Sequence, residues 1–269
     1  MTATTAQTGT AERWGPLWGA RPQDWAATEE QQAPTYEDAI VHVGIERDSH
    51  VLEVGCGSGV FLRMAADRGA SVAGLDASPT LLEIARSRVP EADLRIGDLQ
   101  FLPYADDTFD LVAGFNAFFF AADMTAALRE AGRVAKPAAP IVIQVWGRPD
   151  RCDLDRMKHA LAPFLPPPDP NARRGSELWE KGVLEEIAMS AGLRPGEAFD
   201  TVWAFQYADE DALARSMLSA GGLALVAEAV GGDTVERAVV ESLASCRQAD
   251  GSYRVANEWH TLVAHAGER

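Results

Sequence analysis

Short apolar segments alternate with amphipathic ones from residue 37 to residue 146. The predicted strands are 51–54, 71–75, 93–96, 109–114 and 141–146. Helical patterns lie between them, near 36–44, over 59–68, from 79 onward and over 123–134, where Asp123 is placed to cap the helix. Strands that alternate with helices indicate right-handed β-α-β units. We therefore expect a parallel sheet with helices on both faces.

After Trp146 the pattern changes. Prolines at 163, 166–168 and 170 predict a stiff, extended connection, followed by a helix at about 176–191. Alternating positions predict strands over 199–207 and 254–264. Three helical stretches lie between them, from about 209 to 247, and we expect Asp233 to cap the last one. Because these helices interrupt two late strands, they are expected to form a cap.

Three parts follow from this reading. Residues 37–150 form the ligand-binding core, and residues 151–269 supply the rest of the sheet with the inserted cap. Residues 1–36 begin with a loose tail to about residue 12 and continue as an arm that carries Trp14, Trp18, Trp25 and Tyr36. Rings of this size need a surface to be buried against. The arm is either a helical segment packed on the core or a lid over a ligand pocket, and the two interpretations are compatible.

The first strand runs directly into a glycine-rich turn, Gly55-Cys56-Gly57-Ser58-Gly59. A strand, a glycine turn and a helix in this order let a ligand touch bare main chain at the carboxyl end of the strand. Dinucleotide sites have the glycine pattern G-x-G-x-x-G, whose third glycine allows close packing of helix and strand. Val60 occupies that position here. The turn therefore indicates a nucleoside ligand without a pyrophosphate.

Acidic residues mark the ends of neighbouring predicted strands. Asp76 ends the second strand, where a carboxylate can accept both hydroxyls of a ribose, and Asp98 follows the third, where an adenine would lie. Glu53 lies inside the first strand and needs a partner, because burying a bare carboxylate is expensive. A ligand ammonium would serve, and so would a structural arginine such as Arg63 or Arg95. Each strand-end aspartate taken alone could equally be a helix cap or a solvated turn residue.

Taken together, these segments resemble class I S-adenosylmethionine-dependent methyltransferases of the group that includes the ubiquinone and menaquinone biosynthesis enzymes. The matching stretches are VLEVGCGSG (51–59), VAGLDAS (72–78), RIGDLQFLPYADDTFDLV (95–112) and LREAGRVAKPAAPIVI (128–143). With the pattern above, the resemblance implies an α/β fold: a doubly wound, Rossmann-like, mostly parallel seven-stranded sheet whose last strand is antiparallel, with the helical arm and cap added. It implies S-adenosylmethionine (SAM) as the cofactor. The cofactor-binding residues that it implies are Gly55, Cys56, Gly57, Asp76, Ala77, Asp98, Leu99 and Phe115, and the residue pattern adds Glu53 and Gly59 to the predicted site.

The chain departs from these relatives at Ala138-Ala139, where they usually carry a glycine pair, and we expect this turn to avoid positive φ. After the fourth strand the sequence reads Asn116-Ala117-Phe118-Phe119, without the prolines of DNA amino-methyltransferases. Trp18, Trp25, Phe119 and Trp146 are the predicted substrate-pocket residues, although core packing would explain any one of these rings equally well.

The composition limits the kinds of partner that the protein is expected to bind. The formal net charge of −16 disfavours nucleic acid and anionic membranes, so we expect a small-molecule substrate. The three scattered cysteines, the absence of a signal-peptide pattern and the lack of a long apolar run predict a cytoplasmic protein with reduced thiols. No histidines have the spacing of a helical metal site, and no metal is expected. The oligomeric state stays open, a homodimer included.

The sequence contains no evident catalytic set, and none is required, since methyl transfer needs a general base only when the acceptor arrives protonated. A base role for His159 is an alternative to a structural one. We therefore expect a SAM-dependent methyltransferase acting on a small apolar or aromatic metabolite, with specialised metabolism as one source of such a substrate. The alternatives are another SAM reaction, cyclisation or alkyl transfer with release of methylthioadenosine, and a non-catalytic SAM-binding protein.

Overall fold

The structure is a computed structural model, and it describes residues 9–164 and 177–268. Its strands are β1 (His50–Val54), β2 (Ser71–Asp76), β3 (Asp93–Ile96), β4 (Leu111–Phe115), β5 (Pro140–Trp146), β6 (Arg194–Tyr207) and β7 (Tyr253–His265). They form one sheet in the order β3-β2-β1-β4-β5-β7-β6. Neighbouring strands pair in parallel from β3 to β5, and β7 runs antiparallel between β5 and β6. The predicted sheet, with its last strand antiparallel, is confirmed.

Three helices precede the sheet and the others connect its strands. The helices of the described residues are α1 (Ala11–Trp18), α2 (Pro22–Glu30), α3 (Ala33–Val43), α4 (Val60–Asp67), α5 (Pro79–Arg88), α6 (Met124–Val134), α7 (Asp155–Leu161), α8 (Val183–Ser190), α9 (Glu210–Leu218), α10 (Gly221–Val230) and α11 (Gly232–Ser242). We restrict the name arm to residues 10–30, which contain α1 and α2, because Tyr36 lies in α3, and we call α9 to α11, inserted between β6 and β7, the cap. Asp123 caps α6 as predicted, accepting from the main-chain N–H of Ala126 at 3.1 Å.

The core lies on both faces of the sheet. Leu52 and Val54 of β1 belong to one apolar cluster with residues of α6 and α8, whereas Val51 belongs to another with residues of α3 and α4. Successive side chains of a strand point to opposite faces, so a strand covered on both sides is apolar throughout. This burial fixes the sheet and leaves its carboxyl edge free for a site. A third cluster fills the cap, where Val235 and Val239 of α11 lie with Trp259 of β7.

Two sequence predictions about turns are wrong. Asp233 does not cap α11, because the cap position is Gly231, whose φ of 86° lets the chain turn sharply after α10. Ala138 does not avoid positive φ but has a φ of 60°. The Ala139 N–H donates to the Lys136 carbonyl at 3.0 Å, which closes a four-residue turn with Pro137 at its second position. A type II turn of this kind requires a positive φ at the third residue.

Element boundaries differ by a few residues elsewhere. The helix predicted at about 176–191 covers Val183–Ser190, and the strand predicted from residue 199 begins at Arg194. The chain is already helical at Ala11, inside the predicted loose tail. The predicted proline connection at 166–168 and 170 lies outside the described residues. No single helix of the described residues passes as a membrane span by length and composition, although the bent pair α9 and α10 does.

Candidate active site

A cavity of about 920 Å³, its mouth included, opens between the carboxyl ends of the parallel strands and the arm. Most of the predicted site residues line it: Glu53, Gly55, Gly57, Asp76, Ala77, Asp98, Leu99 and Phe115 for the cofactor, and Trp18, Trp25, Phe119 and Trp146 for the substrate. Cys56 and Gly59 do not line it. The sheet topology places this cavity where open α/β sheets bind their ligands.

The glycine turn is held on β2 by its own main chain. The N–H groups of Gly55 and Cys56 donate to the Leu75 carbonyl at 2.7 and 3.1 Å. Gly55, Gly57 and Gly59 all have positive φ, between 50° and 81°, a region that side chains rarely adopt. At Gly55 and Gly57 the cavity is therefore lined by bare backbone.

The two predicted residues outside the cavity have structural positions. Cys56 is fully buried, and burial raises the pKa of its thiol. A Cβ on Gly74 of β2 would lie 2.7 Å from the Cys56 Sγ, so this side chain packs against the sheet. Gly59 is the left-handed cap residue before α4, packed against Ala85 of α5. Any contact of Cys56 with a ligand would have to come from its main chain.

Asp76 connects the glycine turn to the start of α5. Its Oδ2 accepts from the Gly57 N–H and its Oδ1 from the Ser78 N–H, both at 2.8 Å. Burial raises the pKa of this carboxyl, and the hydrogen bonds from Ser78 and Gly57 oppose that shift. A carboxylate has about four acceptor positions, so Asp76 retains acceptor capacity towards the cavity.

Glu53 is 2% exposed, and its Oε2 has no hydrogen-bond partner among the described residues. Burial, followed by the neighbouring charges of Glu29 and Asp76, raises its pKa well above the usual value. The alternative that Glu53 pairs with a structural arginine is wrong, since Arg63 pairs with Asp67 and Arg95 with Asp93. A buried carboxyl with one unpaired oxygen in a cavity is the feature expected where a ligand supplies a donor.

Asp98 contacts the arm. Its Oδ2 accepts from the main-chain N–H groups of Thr10 and Ala11 at 2.6 and 2.8 Å, and its Oδ1 accepts from Gln100 N–H at 2.9 Å. The carboxylate thus lies at the N-terminus of α1, where unpaired amides and the helix dipole favour a negative group. A residue predicted for the adenine end therefore also fastens the arm.

Glu29 of α2 is a site residue that sequence reasoning missed. It is 3% exposed, lines the cavity and accepts from the N–H groups of Ser58 at 2.8 Å and Val60 at 3.4 Å. Burial raises its pKa to about 7, although those hydrogen bonds and the charge of Arg88 oppose the shift. The sequence contained one weak sign of this role: Glu29 lies four residues after Trp25, a predicted pocket residue, and residues four apart share one face of a helix.

Aromatic rings of the arm pack against the segment after β4. Trp18 meets Trp25 edge to face at 4.5 Å between ring centroids, and Trp14 and Trp18 meet Phe120 at 4.8 and 5.5 Å. Trp18 also lies over Gly221 of α10, where a Cβ would come within 2.8 Å of its indole nitrogen. The arm is therefore packed between the core and the cap, and its rings form one wall of the cavity.

Asn116 is a second residue that the sequence reasoning did not assign to the site. It lines the cavity with a φ of 50°, and both atoms of its side-chain amide are buried without a partner among the described residues. A positive φ at a non-glycine residue costs energy and is concentrated at functional sites. The donor and the acceptor of this amide remain available to a ligand.

Among the described residues, the charged side chains that line the cavity are all acidic. Glu29, Glu53, Asp76 and Asp98 are the acids that line the cavity, and no Lys, Arg or His of the described residues accompanies them. SAM carries a sulfonium and an ammonium, ribose hydroxyls and an adenine amine. A bare glycine turn, a buried glutamate with one unpaired oxygen, and strand-end aspartates fit that set of groups.

Comparison with known proteins agrees with this geometry. A model described as a methyltransferase domain matches residues 52–143. An uncharacterized protein of Mycobacterium tuberculosis (strain ATCC 25618 / H37Rv) is 32% identical over 190 residues, which cover 65% of this chain and 68% of that protein. The demethylmenaquinone methyltransferase of Tropheryma whipplei (strain Twist) is 32% identical over 139 residues, 50% of this chain and 54% of that enzyme.

A solved structure shows the same fold. Geranyl diphosphate C-methyltransferase from Streptomyces coelicolor A3(2), crystallised with S-adenosylhomocysteine (SAH), is 18% identical with a TM-score of 0.52, covering 87% of this chain and 76% of that one. The fold is therefore Rossmann-like, and the matched domain and the similar enzymes assign the chain to the methyltransferase class. The chain belongs to the class I SAM-dependent methyltransferases, and SAM is its cofactor.

Proposed function

We propose that the protein transfers the methyl group of SAM to a small apolar or aromatic acceptor. The observation that supports this is the wall of rings, Trp18, Trp25, Phe119 and Trp146, in the same cavity as the glycine turn. Large apolar rings favour apolar ligands through burial, and their edges and faces select flat ones. Trp18 and Trp25 belong to the arm, which packs against the cap at Gly221, and this enclosure favours a small molecule over a macromolecule. The net charge of −16 likewise supports an acceptor other than nucleic acid.

We assign the cofactor contacts by matching each group of SAM to the residues of the cavity that can bind it. Gly55 and Gly57 would bind the methionine part with their main chain, and Cys56 would contribute only its backbone. Asp76 would accept the ribose hydroxyls. Ala77, Asp98 and Leu99 would lie beside the adenine, and the backbone of Phe115 would face the sulfonium. Support for this order comes from the parallel pairing of β1, β2 and β3, which places the three strand ends along one edge.

SAM, when bound, supplies a methyl group on a positively charged sulfur. The protein's part is to align the acceptor with that methyl group and to keep water out. Trp14, Trp18 and Phe120 close one side of the cavity through their mutual edge contacts. Aromatic faces also favour a cationic sulfonium over a neutral thioether. No proton has to move when the acceptor is already a free nucleophile.

The test is product analysis. The purified protein is incubated with SAM and a panel of phenols, hydroquinones, arylamines and aliphatic analogues, and products are followed by mass spectrometry. We expect SAH together with an acceptor that is heavier by one CH₂ group. Release of methylthioadenosine in place of SAH would indicate cyclisation or alkyl transfer, and turnover confined to strongly polar acceptors would contradict the substrate class. Phe119→Ala and Trp146→Ala should lower turnover while SAH affinity stays unchanged.

A further inference from the structure

Glu29 has no role in the proposed set of cofactor contacts, yet it touches the glycine turn directly. Its carboxylate accepts from the Ser58 and Val60 amides, and a Cβ on Gly57 would lie 2.6 Å from its Oε2. Glu29 comes from the arm, whereas the turn belongs to the core. The arm therefore places a carboxylate at the point where the methionine part of the cofactor is expected.

A second carboxyl faces the same place from the core. Glu53 is 2% exposed and its Oε2 lacks a partner among the described residues. The charges of Glu29 and Glu53 both act on Tyr36, and the charge of Glu29 acts on Glu53. Two buried carboxyls this close cost free energy unless a proton or a cation lies between them.

The neighbouring cation does not supply that charge. Arg88 of α5 acts on Glu29, but its guanidinium donates to the Ser58 carbonyl and hydroxyl and to Glu30, behind the turn. No Lys, Arg or His of the described residues lines the cavity itself. When both carboxyls are ionised, the compensating positive group therefore has to come from the ligand.

We propose that Glu29 is a cofactor-binding residue of the arm, which receives the α-ammonium group of SAM jointly with Glu53. This inference rests on the placement of the methionine part at the glycine turn that is proposed above. It makes the cofactor site incomplete until α2 is docked. Glu29 binds the amino acid end of the cofactor and takes no part in the methyl transfer itself.

The experiment uses two ligands that differ at this end. SAH carries the amino acid part, whereas 5′-methylthioadenosine has the same adenosine and a thioether but no amino acid. Both are titrated calorimetrically into the wild type, Glu29→Gln and Glu30→Gln. Glu30→Gln is the matched control, since it removes the same charge from the next position of α2, where the side chain pairs with Arg88 and is largely exposed.

We expect Glu29→Gln to weaken SAH binding by about tenfold or more, the effect of a lost charge-assisted contact, and to leave methylthioadenosine binding unchanged. Glu30→Gln should change neither. Equal weakening of both ligands would mean that Glu29 only holds the arm in place, and unchanged SAH affinity would mean that it does not touch the ammonium. Either result overturns the proposal. A wild type that binds neither ligand would instead refute the cofactor placement as a whole.

Discussion

The Asp98 carboxylate of the core accepts a hydrogen bond from the main-chain amide of Thr10 in the arm, at 2.6 Å. At a second contact the roles are reversed, since Glu29 of the arm accepts from Ser58 of the core at 2.8 Å. Each carboxylate lies at the N-terminus of a helix that belongs to the other part. Such a cap contributes about 1 kcal/mol. The arm is thus held to the core at two points.

Asp98→Ala should loosen the arm. Removing this acceptor leaves the Thr10 and Ala11 amides unpaired, so we expect faster tryptic cleavage after Arg13 and a loss of about 1 kcal/mol in stability. Time-resolved proteolysis followed by mass spectrometry gives the measurement. Asp67→Ala is the control, because it removes an exposed carboxylate that pairs with Arg63 four residues earlier. Identical cleavage rates in the two variants would argue against a fastening role.

Gly15→Ala should displace the arm by steric clash. A Cβ at Gly15 would lie 2.2 Å from the Ala77 carbonyl oxygen, although alanine is otherwise the better helix former. Gly222→Ala in α10 is the matched control, because nothing lies within 4 Å of its added Cβ. We expect the first variant to bind SAH more weakly and the second to unfold at a slightly higher temperature. Thermal scans without SAH give the unfolding temperature of each variant. The rise in that temperature when SAH is added reports how strongly the variant binds SAH.

Asp76→Ala should weaken both SAH and methylthioadenosine by about 2 kcal/mol, because the two ligands share the ribose. This distinguishes it from Glu29→Gln, which is expected to affect SAH alone. The substitution also removes the acceptor for the Gly57 and Ser78 amides, so part of the loss will come from a less ordered turn. Unchanged affinity in calorimetry would show that the ribose lies elsewhere.

The free energy of unfolding of the ligand-free protein should decrease as the pH rises, because Glu29 loses its proton. Burial raises its pKa from 4.5 to about 7, so the folded chain holds a proton that the unfolded chain releases. The stabilisation from this bound proton is fully present below the pKa of Glu29 in the unfolded chain. It is lost as the pH rises through the pKa of Glu29 in the folded chain. It amounts to about 3 kcal/mol.

The measurement is urea unfolding of the wild type and Glu29→Gln at about pH 5 and about pH 8. Arg88, Glu53 and Tyr36, which face Glu29, are present in both variants. The stability of the wild type relative to the variant should therefore decrease between the two pH values. A constant difference would show that Glu29 is already ionised throughout this range.

Ala138→Gly should stabilise the protein. Ala138 has a φ of 60°, a conformation that costs a residue with a Cβ about 1 kcal/mol and costs glycine little. Glycine also gains freedom in the unfolded chain, which offsets part of this benefit. We expect an increase of up to about 1 kcal/mol in the free energy of unfolding by urea. A decrease would indicate that the Ala138 side chain makes contacts that outweigh the strain.

The sequence predicted the sheet and the core side of the cavity well. Val51, Leu52 and Val54, followed at once by the glycine turn, leave few alternatives, because local periodicity and turn chemistry agree there. Asp76 and Asp98 could be placed at one edge because parallel strands end together. These inferences needed only short stretches of chain and a rule of topology.

What the sequence could not show depends on contacts between distant residues. Glu29 and Glu30 are chemically identical neighbours, and only the docking of α2 makes one of them buried and the other exposed. The positive φ of Ala138 was not predicted, because alanine generally prefers negative φ. The type II turn that Pro137 favours overrides this preference. Likewise, the orphaned amide of Asn116 has no signature before the surrounding elements are in place.

The position of β7 has a consequence for the order in which the molecule can be assembled. Strand β7, which follows β6 in the chain, inserts between β5 and β6, and the arm, which precedes the sheet, rests partly on Gly221 of the cap. A growing chain on the ribosome can therefore form β1 to β5 early, but the sheet closes only after β7 has been made. Pairing over such separations is slow. The enclosure around the cofactor is accordingly among the last features of the protein to form.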